Sequence, residues 1–271
     1  MKNCIHCQTP LTDTARFCHQ CGKPVAVVSG AFMAPESEDI AAHFFAVLRH
    51  MVGEEQDKEL ADQYLKRFQD SEFGRIFDIR VEQLAVKAAE LAGSHPEPRK
   101  AITSLLADAL YDLSDFFIVR YCRDLHVAPI PEAILKYQET APGQVDLYQL
   151  IMDYLAFSTE PETVYTNLLD MPVDKLRNAS KAFLFPEKNE RIFFLCDLTL
   201  LGSCKEGFAM TENAIYWKAP LEKARKVMYS ELDHIHREKD WLRINGLFFN
   251  ASKTLNVRLM KLLRRVEKLR S

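Results

Sequence analysis

The sequence lacks the features that identify most enzymes and membrane-spanning proteins. Its 271 residues contain no Gly-x-Gly-x-x-Gly, Gly-x4-Gly-Lys-Ser/Thr, His-Glu-x-x-His or Gly-x-Ser-x-Gly pattern. No apolar run approaches the roughly 18 residues that a membrane-spanning helix needs. The first residues also lack the apolar run of a secretory leader. We therefore expect a protein without catalytic activity that resides in the cytoplasm.

Charge is spread unevenly along a chain of ordinary globular composition. Hydrophobic residues make up 48% and charged residues 27%, and the formal net charge is only -3. Residues 1–24 carry three Lys or Arg against one Asp, and residues 251–271 carry seven against one Glu. Residues 25–250 must then carry a net charge of -11. Basic ends and an acidic middle indicate either an anionic partner near one terminus or docking of the ends on the middle.

Two Cys-x2-Cys pairs near the N-terminus predict a zinc site. Cys4 and Cys7 form the first pair, and Cys18 and Cys21 form the second. Zinc prefers four such ligands in a tetrahedron, and about 24 residues cannot bury a core of their own. Because all four positions are thiolates, no position is open for an activated water. The sequence therefore predicts one structural zinc ion.

Two other interpretations of these cysteines are a pair of disulfides and a redox-active dithiol. Three further cysteines, Cys122, Cys196 and Cys204, have no evident pairing pattern. This indicates a reducing compartment, which argues against disulfides. A redox dithiol rarely occurs as a duplicated pair. His6 and His19 lie inside the two knuckles, where backbone amides normally point at sulfur, and we interpret them as bystanders.

The cysteine segment resembles the short zinc ribbon found at the N-terminus of many bacterial proteins. Phe17-Cys18-His19-Gln20-Cys21-Gly22 matches the second knuckle of that ribbon. The first knuckle departs from it, with Gln8 where glycine is usual. The resemblance implies a role in protein contacts, nucleic-acid contacts or tethering, and it does not select among them.

Residues 25–35 are expected to be a linker, and residues 36–185 an all-α helical domain. The linker segment carries Pro and Gly and has no helical period. In the domain, apolar residues recur at three- and four-residue steps. This pattern predicts helices over 36–51, 54–68, 78–91 and 99–123 and shorter ones around 132–140, 147–157, 160–170 and 173–184.

Two groups of residues in the helical domain invite a chemical interpretation. Cys122, Asp124 and His126 cluster after the longest predicted helix, where a helix end with solvated charges is the simpler explanation. His43 and His50 lie seven residues apart on one predicted helix face. No carboxylate stands one turn away from them, so we do not predict a metal site there.

From residue 186 the apolar pattern changes to the alternation of β-strands. Strands are predicted at 191–198, 207–211, 214–218, 226–230, 234–236, 241–244 and 247–249. Glu212-Asn213 is a candidate two-residue hairpin turn, and Asn245-Gly246 is a stronger one. A single helix over 252–269 follows the last strand. Gly202-Ser203-Cys204 has the look of a nucleophile turn, but we interpret it as an ordinary hairpin.

A bent sheet of about seven strands closed by one helix resembles the bacterial version of the pleckstrin-homology (PH) or GRAM domain. The residues that carry this resemblance are Gly207-Phe208-Ala209-Met210-Thr211, Ile215-Tyr216-Trp217 and Tyr229-Ser230-Glu231-Leu232. The resemblance implies a lipid or protein ligand. The expected fold class is thus multidomain α+β, with a zinc ribbon (1–24), an all-α middle domain (36–185) and a PH-like domain (186–271).

The C-terminal helix is expected to place its apolar residues on the sheet and its basic residues on the opposite face. The apolar residues are Leu255, Leu259, Leu262, Leu263, Val266 and Leu269. The basic residues are Arg258, Lys261, Arg264, Arg265 and Lys268, a tentative site for an anionic surface.

We therefore predict a zinc-binding scaffold or adaptor whose PH-like module docks a protein or an anionic surface such as a membrane. The alternative is a nucleic-acid-associated protein that uses the basic C-terminal helix. No small-molecule substrate is evident.

Overall fold

We analysed a computed structural model of the chain, which describes residues 2–3, 9–11 and 34–270. These residues form both α-helices and antiparallel sheets, so the expected mixture of α and β structure is confirmed. The four ribbon cysteines (Cys4, Cys7, Cys18 and Cys21) and residues 25–33 of the expected linker lie outside the described residues. In the described part of the chain, no helix is long and apolar enough to cross a membrane.

The helices that the structure describes follow the predicted pattern closely in the first half of the chain. The α-helices are α1 (Ser37–Glu55), α2 (Ala61–Asp70), α3 (Phe73–Ser94), α4 (Pro98–Tyr121), α5 (Leu147–Leu155), α6 (Val173–Ala182) and α7 (Lys253–Arg270). Helix α4 begins with Pro98, whose missing N–H is not needed in the first turn. Helix α5 is capped by Asp146, whose carboxylate accepts a hydrogen bond from Gln149 N at 2.8 Å.

The strands among residues 2–3, 9–11 and 34–270 form three antiparallel groups. They are β1 (Lys2–Asn3), β2 (Pro10–Leu11), β3 (Thr163–Tyr165), β4 (Ile192–Asp197), β5 (Gly207–Thr211), β6 (Ala214–Lys218), β7 (Arg225–Met228), β8 (Ile235–Glu238), β9 (Trp241–Ile244) and β10 (Leu247–Phe249). Strands β1 and β2 pair as a hairpin, β3 to β7 form a five-stranded sheet in chain order, and β8 to β10 form a three-stranded sheet.

The seven strands predicted after residue 186 are confirmed as β4 to β10. Both predicted turns also occupy their expected places: Glu212-Asn213 joins β5 to β6, and Asn245-Gly246 joins β9 to β10. Asn245 and Gly246 both have positive φ, 50° and 77°, as a two-residue turn between twisted strands requires.

The helix predicted at residues 160–170 is wrong, because this segment contains strand β3. Thr163 pairs with Asp197 and Tyr165 pairs with Leu195, which adds a fifth strand to the sheet. Thr, Val and Tyr fit a pleated surface better than a helix, and pairing covers what would otherwise be an open edge of β4. The segment 36–185 is therefore not all-α.

The chain divides into two compact units, and the boundary between them falls inside α1, α3 and α4. One unit comprises residues 1–43 and 78–109, and the other comprises residues 44–77 and 110–271. The first unit buries apolar residues of the three helices, among them Ile40, Leu84 and Ile102. The second contains an aromatic cluster in which the rings of Phe44 and Phe77 have centroids 4.7 Å apart.

Packing within the second unit crosses the predicted domain boundary at residues 185 and 186. Strand β3 pairs with β4, and α7 packs against α5 as well as against β8 and β9. Met171 and Phe183 also belong to the same buried cluster as Leu195 and Tyr216. The residues that follow 186 are thus packed together with the residues that precede it.

Candidate functional site

The basic residues of α7 do not form the exposed face that the sequence suggests. Every residue from Leu255 to Leu263 is buried, including Arg258 and Lys261, each only 3% exposed. The expected exposed basic face is therefore wrong at Arg258 and Lys261. The expected apolar face is confirmed by the burial of Leu255, Leu259, Leu262, Leu263 and Val266.

Lys261 lies between two buried carboxylates. Its Nζ is 2.8 Å from Oε1 of Glu55 in α1 and 2.6 Å from Oδ1 of Asp115 in α4. Burial lowers the pKa of Lys261, but the carboxylates of Asp115 and Glu55 outweigh burial and hold that pKa well above its ordinary value. We call Glu55, Asp115 and Lys261 the buried triad.

The other basic side chains of α7 also contact partners within the second unit. Arg264 pairs with Glu54 at 2.9 Å and donates to Ile235 O, and Arg258 pairs with Glu160 at 2.9 Å. Arg265 donates to Tyr137 O, and Lys268 lies 3.6 Å from Asp112. For α7, the charge asymmetry of the sequence is thus explained by docking of a basic end on an acidic middle. Because these cations already form ion pairs or hydrogen bonds within the second unit, they are poorly placed to bind phosphates of a nucleic acid or lipid.

The contacts of Cys122, Asp124 and His126 are those of residues that stabilise the fold. Cys122 is fully buried, and burial raises the pKa of its thiol to about 12, so it carries no nucleophilic thiolate at neutral pH. The Asp124 carboxylate accepts two hydrogen bonds from the guanidinium of Arg67, which lower its pKa to about 2. His126 Nε2 lies 3.0 Å from Ile118 O. Arg67 also donates to Tyr121 O, so this group caps the end of α4.

The remaining chemical candidates of the sequence are likewise accounted for. Cys204 is buried and its thiol donates to Asp197 Oδ2 at 3.2 Å, and burial raises its pKa to about 12. Ser203 Oγ contacts the hydroxyl of Thr199, 3.4 Å away. His50 pairs with Glu54 at 3.3 Å, and His43 is exposed. Over the residues that the structure describes, no group of three or more His, Cys, Asp or Glu side chains is arranged to hold a metal ion.

The least expected surface feature is a set of leucines at one end of the five-stranded sheet. Leu200 and Leu201 are 102% and 92% exposed, and Leu221 is 103% exposed. Single exposed apolar residues are common on proteins, but three leucines with almost no protein contact in neighbouring turns are unusual.

The strand register places these leucines at the same end of the sheet. Asp197 at the end of β4 pairs with Gly207 at the start of β5, and Gly207 pairs with Lys218 at the end of β6. The turn after β4 and the turn after β6 therefore emerge side by side. We call the turns Thr199–Gly202 and Ala219–Glu222 the docking edge.

Both turns of the docking edge are closed by backbone hydrogen bonds, with leucines in their central positions. Gly202 N donates to Thr199 O at 3.2 Å, and Glu222 N donates to Ala219 O at 3.1 Å. The first turn is fixed further by Asp197, whose carboxylate accepts from Thr199 N at 2.9 Å and from Cys204 N at 3.1 Å. The leucines thus stand on ordered turns.

Sequence reasoning missed the docking edge, although a signal was present. Leu200-Leu201 directly follows a predicted strand and precedes Gly202, and Leu221 follows Pro220 between two predicted strands. Apolar residues in the middle of turns between strands run against the usual polar turn composition. What the sequence could not give was the register that brings the two turns together.

Comparison of the chain with protein-family models, with curated proteins and with solved structures finds no match.

Proposed function

We propose that this protein is a non-catalytic adaptor in which a structural zinc ribbon is joined to a PH-like module that docks through the docking edge. The unpaired, buried thiols of Cys122, Cys196 and Cys204 agree with a reducing compartment, and we propose the cytoplasm.

The zinc part of the proposal is supported by the hairpin that precedes and follows the first cysteine pair. Strands β1 and β2 pair with Asn3 opposite Pro10, so the described residues that precede Cys4 and follow Cys7 in the sequence lie beside each other. Paired strands on either side of a Cys-x2-Cys segment agree with two ligands on one edge of a tetrahedral zinc ion. Bound zinc would stabilise the ribbon without taking part in chemistry, because all four ligands are thiolates.

Zinc content tests this part. Elemental analysis of the purified chain is expected to give one zinc per chain, and Cys7→Ser is expected to release it. Because the core of the second unit is built from residues 44–77 and 110–270, the variant is expected to keep the tryptophan fluorescence of that unit. A chain that purifies without zinc and with the Cys4–Cys21 pair oxidised to a disulfide would contradict the ribbon.

The PH-like part is supported by the order of its elements. Strands β4 to β7 form consecutive antiparallel pairs, β8 to β10 form a second meander, and α7 follows and packs against β8 and β9. Trp217 of β6 donates from Nε1 to Phe248 O of β10 at 2.8 Å, which joins the two sheets. This arrangement of seven strands and a closing helix resembles the PH plan, with β3 as an added edge strand.

The observation that carries the docking proposal is the contrast between α7 and the docking edge. The cations of α7 contact carboxylates and carbonyls of the same unit, whereas Leu200, Leu201 and Leu221 contact almost nothing. Burying a leucine against a partner yields roughly 1.5–3 kcal/mol, so an exposed trio is a favourable place for a partner to bind.

Site-specific photocrosslinking in living cells tests the proposal. A photoreactive amino acid at position 201 or 221 of the full chain is expected to form adducts with lipid or with another protein, because these side chains would face the partner. A matched control carries the same group at position 86, where Val86 is 59% exposed on α3. Adducts from position 86 that equal or exceed those from positions 201 and 221 would rule out docking through this edge.

A further inference from the structure

A polar cleft lies beside the end of α1 in the second unit. It has a volume of about 290 Å³ and is lined by residues of α1, of the turn between β8 and β9, and of the start of α7. Three lysines line it: Lys58, which follows α1, Lys239 in the turn, and Lys253, the first residue of α7. We call this the lysine cleft. None of its residues belongs to the docking edge.

Arg237 holds the walls of the lysine cleft in place. Its side chain is only 10% exposed. Its Nη1 donates to Glu54 O at 3.2 Å and to Gln56 O at 3.1 Å, and its Nε donates to Lys239 O at 2.6 Å. One guanidinium thus joins the end of α1 to the turn between β8 and β9. The cleft therefore has its shape without a ligand, as small-molecule sites usually do.

The three lysines have no ion-pair partner among the residues that the structure describes. Lys58, Lys239 and Lys253 are all exposed. Lys239 Nζ lies 5.7 Å from the centroid of the Trp241 ring, which is a cation–π contact rather than an ion pair. Like charges that line one cleft repel each other, and an anion between them replaces this repulsion with attraction.

Several carboxylates near the lysine cleft are already neutralised by arginines. Arg264 donates two hydrogen bonds to the Glu54 carboxylate, at 2.9 Å and 3.1 Å. Asp240 lies 3.4 Å from Nη2 of Arg237. In the strand that leads into the turn, Glu238 pairs with Arg243 at 2.8 Å.

Two further acids beside the cleft have no such partner, and they offset the lysines only in part. Asp57 lines the cleft, and its carboxylate accepts a hydrogen bond from Glu59 N at 3.1 Å. Glu59 is exposed and follows Lys58 in the sequence. With both acids counted, the three lysines still leave an excess of positive charge, on a chain whose net charge is -3.

Lys239 occupies a position that is unfavourable for lysine. It is the first residue of the two-residue turn between β8 and β9, and its φ is 59°. Such turns favour glycine where φ is positive, because a Cβ is strained in the left-handed region. The presence of a lysine there is explained if its ammonium group is needed at the cleft.

We propose that the lysine cleft binds a phosphate monoester group. A phosphate presents oxygens on every side, so separate ammonium groups can each donate to it, and lysine binds phosphate as a point charge without a fixed geometry. A doubly charged phosphate also gains more from three lysines than a singly charged carboxylate does. The volume of about 290 Å³ suits a small ligand. This inference goes beyond the proposed docking function and does not depend on the docking edge.

Phosphorus NMR of inorganic phosphate in the presence of the full chain tests the inference. The chain is expected to broaden the phosphate resonance in a saturable manner at a constant chloride concentration, which screens non-specific attraction. Lys58→Gln and Lys253→Gln are each expected to weaken binding about threefold, and the double variant about tenfold. Lys223→Gln removes an exposed lysine outside the cleft and is the control, expected to bind like the unchanged chain.

The Lys239→Gly variant separates loss of binding from loss of folding. Glycine is favoured at this turn position, so the variant is expected to melt at the same temperature as the unchanged chain or higher. Weaker phosphate binding without a lower melting temperature supports the inference.

Two further probes distinguish the source of the phosphate. Glycerol phosphate in solution and vesicles that contain phosphatidic acid both carry a phosphate monoester. Displacement of inorganic phosphate by glycerol phosphate identifies a soluble ligand. Sedimentation with the vesicles that is lost in the Lys58→Gln, Lys253→Gln double variant, without displacement by glycerol phosphate, identifies a lipid headgroup.

Absence of saturable broadening by the unchanged chain, or equal binding by the unchanged chain and the three lysine variants of the cleft, would overturn the inference. The proposed docking function is tested separately by the crosslinks from positions 201 and 221. Either proposal can therefore fail while the other stands.

Discussion

Glu55 is an acid held in the protein interior with too little positive charge nearby. The buried triad contains two carboxylates and one ammonium group, and Glu55 itself is 0% exposed. Glu55 Oε2 has no hydrogen-bond partner among the described residues. Burial raises the pKa of Glu55 most, Lys261 opposes that effect, and Asp115 adds to it. Folding therefore favours the protonated form of the Glu55 carboxyl group.

The raised pKa of Glu55 predicts a dependence of stability on pH. The folded protein binds this proton more tightly than the unfolded chain, in which glutamate has its ordinary pKa of 4.5. The contribution to the free energy of unfolding is present at low pH and is lost as pH rises from 4.5 through the raised pKa of the folded state. Glu55→Gln removes this titration. We expect the variant to gain stability relative to the unchanged chain as pH rises, by up to about 1.4 kcal/mol per pH unit in that window.

Urea unfolding at several pH values between 4.5 and 8, a window that begins at the ordinary glutamate pKa, measures this difference. Glu59→Gln is the matched control, because Glu59 is exposed beside the end of α1 and its removal should leave the pH dependence unchanged. Parallel stability curves for Glu55→Gln and the unchanged chain would show that Glu55 is ionised in the folded state throughout the range.

Helix α7 shows what a sequence pattern can predict about an element and what it cannot. The spacing of Leu255, Leu259 and Leu262 correctly predicts a buried apolar face. The same pattern assigns Lys261 to solvent, because basic residues opposite an apolar face usually lie there. One partner of Lys261 is Glu55, which lies 206 residues earlier in the chain, and no local pattern links the two.

The strands after residue 186 were predictable because each prediction depends on local chemistry. The positions of β9 and β10 follow from the alternating apolar residues and from the Asn245-Gly246 turn, and all of these lie within a few residues of each other in the sequence. Strand β3 was not predictable in this way. Thr163 to Tyr165 lies between helices, and it becomes a strand only because β4 has an edge that it can pair with. The docking edge was missed for a related reason, since it is formed by the register of four strands.

At the scale of the molecule, the predicted division at residues 185 and 186 separates groups that are packed together. On the near side of that division are Glu54, Glu55, Asp115 and Glu160, the acidic partners of α7. Met171, Ala179 and Phe183 on the near side cover Leu195 and Tyr216 on the far side. A fragment made only of residues 186–271 would therefore expose an apolar surface and leave the cations of α7 without partners.

We therefore expect residues 186–271 not to fold when expressed alone, whereas residues 34–271 do. Both fragments contain Trp217, which is 1% exposed in the structure, and Trp241. In the longer fragment, tryptophan fluorescence is expected at short wavelength, with a single cooperative shift to longer wavelength in urea.

In the shorter fragment, loss of β3, α6 and the acidic partners of α7 removes several contacts that each contribute roughly 1–3 kcal/mol. Together these contacts are comparable to the whole stability of a domain. Its fluorescence is expected to resemble that of the unfolded chain at every urea concentration. A cooperative transition in residues 186–271 would show instead that this segment is an independent folding unit and that the ion pairs of α7 join two domains that are stable apart.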